Sequence, residues 1–423
     1  MGRRYGKYAA AAAALLMAGI LVTGCADKEK ENFPTLIVTP IESTETAENT
    51  ESREDTAPTD SEEQSSSEQE TASEETKESG AKTEPKDETD KVITQRKVVN
   101  GKMQSYLTGE WKDASVAKRR SMAVMMPNDK KALPQYGISK ASIIYEAPVE
   151  GRITRLMAFY EDYDDLDHIG PVRSSRDYYV YEAMAYDAIY CNWGLARPFV
   201  EKLINSDRID NISQAVAGIQ KPAAEAYDRI KRKGYALEYT GYLFPAKYTK
   251  AVERLGYEEE YRDTFVQAFT FAADDYPAEY KDEESAVRIY PGGTGANRGG
   301  YGSSNPCFEY RAKDGLYYRS QYGGAQIDEM NGEQLAVTNV VFKICHGEVR
   351  EPKGKDYLAF GVHGEGDAIV FTAGKVIKGT WKRISDTDPN LFLDENGEEI
   401  IFNQGKTWIC NIWKEYAEYI KYE

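Results

Sequence analysis

The sequence has few of the residues that build metal and redox sites. It contains three histidines and five cysteines in 423 residues. The histidines (His168, His346 and His363) form no HExxH pattern, and no two cysteines show the Cys-x-x-Cys spacing of a zinc site. We therefore predict no metal site and no cofactor.

The sequence also lacks a basic stripe and a recognisable nucleic-acid motif. Its net charge is −17, which argues against a nucleic-acid partner. The longest uncharged apolar run is Tyr8 to Leu21. This run is shorter than the roughly 20 residues that a membrane-spanning helix needs. The sequence therefore predicts no membrane-spanning helix.

The N-terminal segment has the pattern of a lipoprotein signal peptide, which we assign to residues 1–24. Arg3, Arg4 and Lys7 precede the apolar run, and Val22-Thr23-Gly24-Cys25 follows it. Small residues before a cysteine are typical of a lipobox, in which the thiol receives a diacylglyceryl group. We expect palmitate-type acylation of Cys25, with the protein anchored in the cell membrane on its extracytoplasmic face. The alternative is an ordinary cleaved signal followed by an unrelated cysteine.

A long segment after Cys25 lacks aromatic side chains and basic charge. No aromatic residue lies between Phe33 and Tyr106, and residues 42–90 contain 18 acidic and 4 basic side chains. So little apolar surface cannot offset the entropy lost on ordering the chain. Residues 25–117 are therefore predicted to form an acidic, Ser/Thr/Glu-rich disordered tether. It would be either a spacer that holds the rest of the protein away from the membrane or unselected filler.

The remaining chain predicts an α+β protein, with an α/β sandwich domain at 118–275, a Gly-rich linker at 276–302 and a β-rich antiparallel domain at 303–423. In the first domain, strand-like and helix-like runs alternate. The strand-like runs are 122–126, 142–147, 155–160 and 188–191, and the helix-like runs are 177–185, 197–205, 221–233 and 248–255. In the second domain, short β-branched or aromatic runs lie between Gly, Asn and Asp turns, the pattern of an antiparallel sheet. These runs are 316–322, 337–345, 368–371, 376–384, 399–402 and 407–413. Pairing among Cys307, Cys345 and Cys410 stays open.

The most pointed candidate site lies in the segment Ile169 to Asp177, which leads into a predicted helix. Backbone N–H groups at a helix start, together with guanidinium and hydroxyl groups, can hold a phosphate or carboxylate. We predict an anion-binding site made of Arg155, Arg173, Ser174, Ser175 and Arg176. The alternative is structural: a serine caps the helix, and the arginines pair with Glu146, Glu150 or Asp177.

Glu146 and Glu150 are the candidate catalytic pair if the protein is an enzyme. Two carboxylates can act as acid and base on a sugar when their separation suits the reaction. Four residues apart on an extended strand, they would lie about 13 Å apart, too far for a retaining glycosidase. Whether the chain is an enzyme is left open.

Several segments resemble the YerB-like lipoproteins, a family known by two domains of unknown function. The segments that show the resemblance are residues 132–138, 144–147, 150–155 and 169–176 in the first domain, and 379–382 and 403–409 in the second. The chain departs from the family at Leu133, where an arginine is common, and near Glu238 to Tyr242, where a histidine is common. The resemblance implies the fold and a membrane-anchored location without an established activity. The 170–177 loop is also similar to the pyrophosphate-binding region of LytR/Psr-type glycopolymer ligases.

These observations favour a lipid-anchored envelope protein that binds an anionic cell-wall glycopolymer or a lipid-linked precursor. Tyr145 and Tyr178 would offer aromatic surface to a sugar. The alternatives are a glycopolymer transferase or hydrolase, and a scaffold that binds another envelope protein.

Overall fold

A computed structural model describes residues 91–294, 301–302, 304–350 and 356–423, all within one compact unit. The predicted signal peptide and Cys25 lie outside the described residues. The strands are β1 (Lys102–Gln104), β2 (Trp111–Asp113), β3 (Met122–Pro127), β4 (Ile143–Val149), β5 (Ile153–Tyr160), β6 (Ile189–Trp193), β7 (Asn211–Gln214), β8 (Tyr227–Arg229), β9 (Gly241–Leu243), β10 (Thr270–Phe271), β11 (Arg288–Tyr290), β12 (Cys307–Arg311), β13 (Leu316–Gln321), β14 (Gly324–Ala325), β15 (Ala336–Val337), β16 (Asn339–Cys345), β17 (Gly347–Arg350), β18 (Tyr357–Phe360), β19 (Gly364–Thr372), β20 (Lys375–Arg383), β21 (Leu391–Asp394), β22 (Ile401–Phe402), β23 (Thr407–Trp413) and β24 (Lys421–Tyr422). The α-helices are α1 (Ala114–Ala117), α2 (Asp177–Met184), α3 (Arg197–Ile204), α4 (Lys221–Glu225) and α5 (Pro245–Leu255).

A mixed ten-stranded sheet organises the described residues. Its strand order is β21-β20-β19-β16-β23-β4-β5-β3-β6-β7. Two parallel groups, β16-β23-β4 and β3-β6-β7, are joined by antiparallel β5. Because the sequence supplies nearly continuous apolar runs to β3, β16 and β23, these strands can be covered on both faces.

Side chains that alternate along the central strands enter two hydrophobic cores, one on each face of the sheet. On β3, Ala123 and Met125 face the first core, with α2 and α3, whereas Val124 and Met126 face the second. The second core is closed by residues of α5 and by Phe308 and Tyr317. The latter two belong to a smaller antiparallel sheet of order β14-β13-β12-β11-β24, with β15 paired to β13. The described residues are therefore rich in strands and contain few helices.

The halves divided at the predicted linker share the large sheet. Strand β23 lies between β16 and β4 and is parallel to both, with Thr407 opposite Ile143. Most strand pairs within the C-terminal half are antiparallel as predicted, such as β16–β19 and β19–β20. Strand β23 departs from the prediction, because it pairs in parallel with β16. The predicted linker 276–302 contributes β11 to the smaller sheet, and residues 295–300 of its Gly-rich run lie outside the described residues.

The described part of the predicted tether, residues 91–117, is ordered. Ile93, Met103 and Leu107 are buried, and the Ile93 amide donates to the Phe271 carbonyl (2.8 Å). Apolar side chains thus occur again directly after the acidic segment that ends at Asp90, and they hold residues 91–117 against the core.

The predicted helix at 221–233 is also shorter than expected. Helix α4 ends at Glu225, because Tyr227 is buried and residues Tyr227–Arg229 form strand β8, which pairs with β9.

Candidate functional site

The predicted anion-binding segment crosses the carboxyl ends of two parallel strands. The Arg173 amide donates to the Met125 carbonyl of β3 (2.8 Å), and the Trp193 amide of β6 donates to the Arg173 carbonyl (3.1 Å). The Ser175 amide donates to the Gly194 carbonyl (2.9 Å). In open α/β sheets, ligands commonly bind outside the carboxyl ends of the strands. The backbone therefore places Arg173 to Arg176 at an edge suited to binding.

Arg173 and Arg176 lie close enough to Arg155 for their charges to lower its pKa, and we call the three residues the arginine site. Arg155 is 5% exposed, and its Nη1 donates to the Ser174 carbonyl (2.8 Å). Its Nε has no hydrogen-bond partner, and no carboxylate of the described residues forms an ion pair with it. Burial, followed by the charges of Arg176 and Arg173, lowers the pKa of Arg155 to about 10. Arg155 is thus a buried cation that no carboxylate in the described ranges compensates by an ion pair.

The other two guanidinium groups have carboxylate partners. Arg173 Nη1 lies 2.9 Å from Glu238 Oε2, and the Glu238 side chain is 52% exposed. Arg176 Nε donates to both carboxylate oxygens of Glu150 at 3.1 Å. Burial acts to raise the pKa of Glu150, but the hydrogen bond and charge of Arg176 hold it below its ordinary value. Two carboxylates therefore face three guanidinium groups.

The two serines play different parts from those expected of a helix cap. Arg176, not a serine, is the N-cap residue of α2, and its side chain makes no capping hydrogen bond. Ser175 is fully buried, with its Oγ 2.7 Å from the Tyr190 hydroxyl. Ser174 is half-buried and donates to the Trp193 carbonyl at 3.3 Å. Ser174 is therefore the better placed of the two hydroxyls to meet a ligand.

Glu146 points away from the arginine site. It is fully buried, and its Oε1 accepts from the Thr154 hydroxyl (2.7 Å) and the Asn128 amide (3.1 Å). Its Oε2 accepts from Arg319 (2.6 Å) and the Trp408 indole (3.1 Å). A carboxylate that accepts four protein hydrogen bonds has little capacity left for a substrate proton. Glu146 and Glu150 face different partners and do not form a shared acid–base pair.

Some residues near the site were absent from the sequence-based prediction. Glu238 pairs with Arg173 although 65 positions separate them, and Arg350 pairs with Asp177 across 173 positions. Tyr239 lies under Arg173, with the guanidinium 5.3 Å from the ring centroid. Local sequence patterns contain no signal for such distant pairs. The departure from the family noted near Glu238 was the only hint.

Metal ligands do not gather in the described part of the chain. No group of three or more His, Cys, Asp or Glu side chains there could hold an ion. The four cysteines in the described ranges are free thiols, and three of them are buried.

The fold and the site together define a strand-rich protein in which two sequence halves build one mixed sheet beside a cluster of arginines. Two family models match the chain: "Protein of unknown function (DUF3048) N-terminal domain" at residues 107–258 and the corresponding C-terminal domain at 298–409. The chain belongs to this family, and the sequence-based recognition is confirmed.

A relative and a solved structure agree with that assignment. The chain is 28% identical over 312 residues to "Putative lipoprotein YerB" of Bacillus subtilis strain 168, covering 73% of this chain and 86% of the relative. The crystal structure of the YerB protein from Bacillus subtilis matches with a TM-score of 0.60 at 24% identity, over 76% of this chain and 99% of that one. The structural match establishes a YerB-like fold.

Proposed function

We propose that this protein is a lipid-anchored binding protein on the outer face of the cell membrane, which recognises an anionic envelope ligand at the arginine site. The ligand class is a glycopolymer or a lipid-linked precursor that carries phosphate or carboxylate groups. The observation that supports this proposal is Arg155, a buried cation with no carboxylate partner among the described residues. An unpaired buried charge is costly, and a bound anion would offset that cost.

The contacts suggest how a ligand would enter. Arg173 is the accessible member of the site, because its side chain is 19% exposed and its partner Glu238 is more exposed still. A phosphate or carboxylate can replace Glu238 on Arg173, since guanidinium groups bind such anions through paired hydrogen bonds. The buried Arg155, which donates to the Ser174 carbonyl, would add positive charge on the protein side of the ligand. Binding should weaken as salt concentration rises, because the outer contact is screened.

The arginine site can be tested with Arg155→Met and Arg173→Met. We expect each variant to lose about tenfold or more of its affinity for inorganic pyrophosphate and for a glycerol phosphate oligomer. Because Arg155→Met removes an unpaired buried charge, we expect its free energy of unfolding to change by less than about 1 kcal/mol or to rise. Isothermal titration calorimetry and urea unfolding measure the two quantities.

Arg197→Met is the matched control, since Arg197 lies on α3 with a side chain that is 68% exposed. It should leave affinity unchanged. Unaltered binding in both arginine-site variants would contradict the proposal. So would a collapse of stability in Arg155→Met accompanied by normal binding in Arg173→Met.

The membrane anchor rests on Cys25 and on the similarity to a protein described as a lipoprotein. No helix in the described ranges is long and apolar enough to cross a membrane. A diacylglyceryl group would supply attachment, because each buried CH₂ contributes about 0.8 kcal/mol and two chains are inserted.

Replacement of the anchoring thiol tests this part of the proposal. We expect the parent chain to incorporate labelled palmitate in cells and to show a lipidated N-terminus by mass spectrometry. The Cys25→Ser variant should lose both signals. Cys307→Ser, which alters a half-buried thiol in β12, should keep both signals. Equal labelling of the Cys25→Ser chain would refute lipidation at Cys25.

A further inference from the structure

A recess lies at the opposite end of β4 from the arginine site. It is a cleft of about 750 Å³ between the first residues of β4 and β23 and the strands β13 and β15. We call it the lysine cleft and define it by Lys140, Ile144, Arg311, Leu316, Tyr318 and Lys406. Its volume falls in the range of small-molecule sites. The seven residues of β4 separate it from Glu150 by about 20 Å.

The lining of the lysine cleft carries more positive than negative charge. Lys140, Arg311 and Lys406 line it, whereas Glu333 is its one carboxylate among the described residues. Glu333 accepts a hydrogen bond from Asn331 (2.9 Å). Arg311 stacks on Tyr318, with the guanidinium 3.5 Å from the ring centroid. In a chain of net charge −17, a local excess of cations favours an anionic occupant.

Lys406 is the recessed cation of this cleft. Its Nζ donates to the Ser139 carbonyl, and no carboxylate of the described residues forms an ion pair with it. Burial is the main cause that lowers the pKa of Lys406; the charges of Lys112 and Lys140 lower it further, whereas those of Glu110 and Asp328 act to raise it. An ammonium group has three donors, so Lys406 can still offer hydrogen bonds to a ligand.

The rest of the lining limits what that ligand can be. Leu316 and Ile144 present apolar surface, and the Gln334 amide already donates to the Arg319 carbonyl (2.8 Å). Arg311 stacks on Tyr318 and uses one donor, Nη2, on Gln334 Oε1 at 3.3 Å. The recessed ammonium lies beside the apolar surface of Leu316, within a lining that is otherwise largely polar. This pairing suits a single negative charge on a small apolar body.

We propose that the lysine cleft binds a small amphiphilic carboxylate, with the carboxylate on Lys406 and the apolar body against Leu316 and Ile144. The same chemistry is found in a medium-chain fatty acid and in the C-terminus of an apolar peptide. The proposal does not depend on the arginine site, since the two sites lie at opposite ends of β4.

Calorimetric titration of the full chain with octanoate and with N-acetyl-leucyl-leucine tests the proposal. We expect saturable binding of at least one of the two, and binding at least about tenfold weaker for the uncharged partners octan-1-ol and N-acetyl-leucyl-leucinamide. Binding of octanoate alone would identify an alkyl ligand, and binding of the peptide alone a C-terminus. Absence of saturation by both carboxylates up to millimolar concentration, or equal binding of the uncharged partners, would overturn the proposal.

Variants locate the binding at the cleft. Lys406→Met should lose about tenfold in affinity, and Lys406→Arg should retain most of it because the charge remains. Lys247→Met is the control, since that lysine lies on α5 with a side chain that is 45% exposed. If Lys406→Met fails to fold, Leu316→Glu puts a repelling charge on the wall and should abolish binding. Parent-like affinity in Lys406→Met or in Leu316→Glu would refute the assignment, whereas Arg155→Met should leave this binding unchanged.

Discussion

Glu182→Gln is expected to lower the free energy of unfolding by about 3–5 kcal/mol, because it leaves buried cations without their carboxylate. Glu182 on α2 is fully buried, with Lys343 Nζ 2.8 Å from Oε1 and Arg383 Nη1 3.3 Å from Oε2. Asn390 bridges the group, donating to Glu182 (2.8 Å) and accepting from Lys343 (2.6 Å). The substitution preserves shape and removes charge, so urea unfolding would report the electrostatic loss.

Glu201→Gln provides the matched control, since it neutralises a carboxylate on the neighbouring helix α3 whose side chain is 31% exposed. Its partner Arg197 is 68% exposed, and such pairs contribute less than about 1 kcal/mol. Equal losses in the two variants would contradict the interpretation.

The pH dependence of the free energy of unfolding provides a second test of the network around Glu182. Burial acts to raise the pKa of Glu182, but Lys343 and Arg383 hold it below its ordinary value. The stability that Glu182 contributes is therefore complete above the unfolded carboxyl pKa of about 4.3 and is lost as the pH falls through the folded value.

The two sequence halves are expected to be unfolded when each is produced alone. A chain of residues 91–275 would lack β23, the partner of β4, and would expose the paired edge of Tyr145 and Glu146. It would also leave Glu146 buried without Arg319 and Trp408, both of which come from the other half. The unpaired charge and the lost strand remove more stability than a domain of this size holds.

Circular dichroism and urea titration of residues 91–275, of residues 276–423 and of their mixture test this expectation. We expect a cooperative transition only in the mixture, because the shared sheet can form only when both pieces are present. A cooperative unfolding transition in residues 91–275 alone would show that the first half is an independent domain after all.

Local elements of the fold were predictable, whereas their partners were not. The runs 122–126, 177–185 and 407–413 correspond to β3, α2 and β23, because burial and side-chain periodicity act within one segment. The placement of β23 beside β4 joins residues more than 260 positions apart, as in the pair Cys410 and Glu146. Periodicity does not encode such a pairing, so the sequence suggested two domains where one sheet exists.

The candidate site shows the same division. The sequence identified the loop that carries Arg173 and Arg176, and it offered Glu150 as an alternative partner for an arginine, a pair that the structure contains. It could not show that Arg155 would be buried without a carboxylate partner in the part of the chain that the structure describes, because that depends on which acidic groups distant segments bring nearby. Glu146 was considered for catalysis, and only the fold reveals its four donors.

The position of β23 has a consequence for biogenesis. The chain is synthesised from its N-terminus, so β4 cannot pair with β23 until residues 407–413 have left the ribosome. Pairing across such a separation is slow, so this edge of β4 stays unpaired until then. If the chain is exported as proposed, completing the central sheet last would keep it unfolded during synthesis, and the final fold would form after translocation.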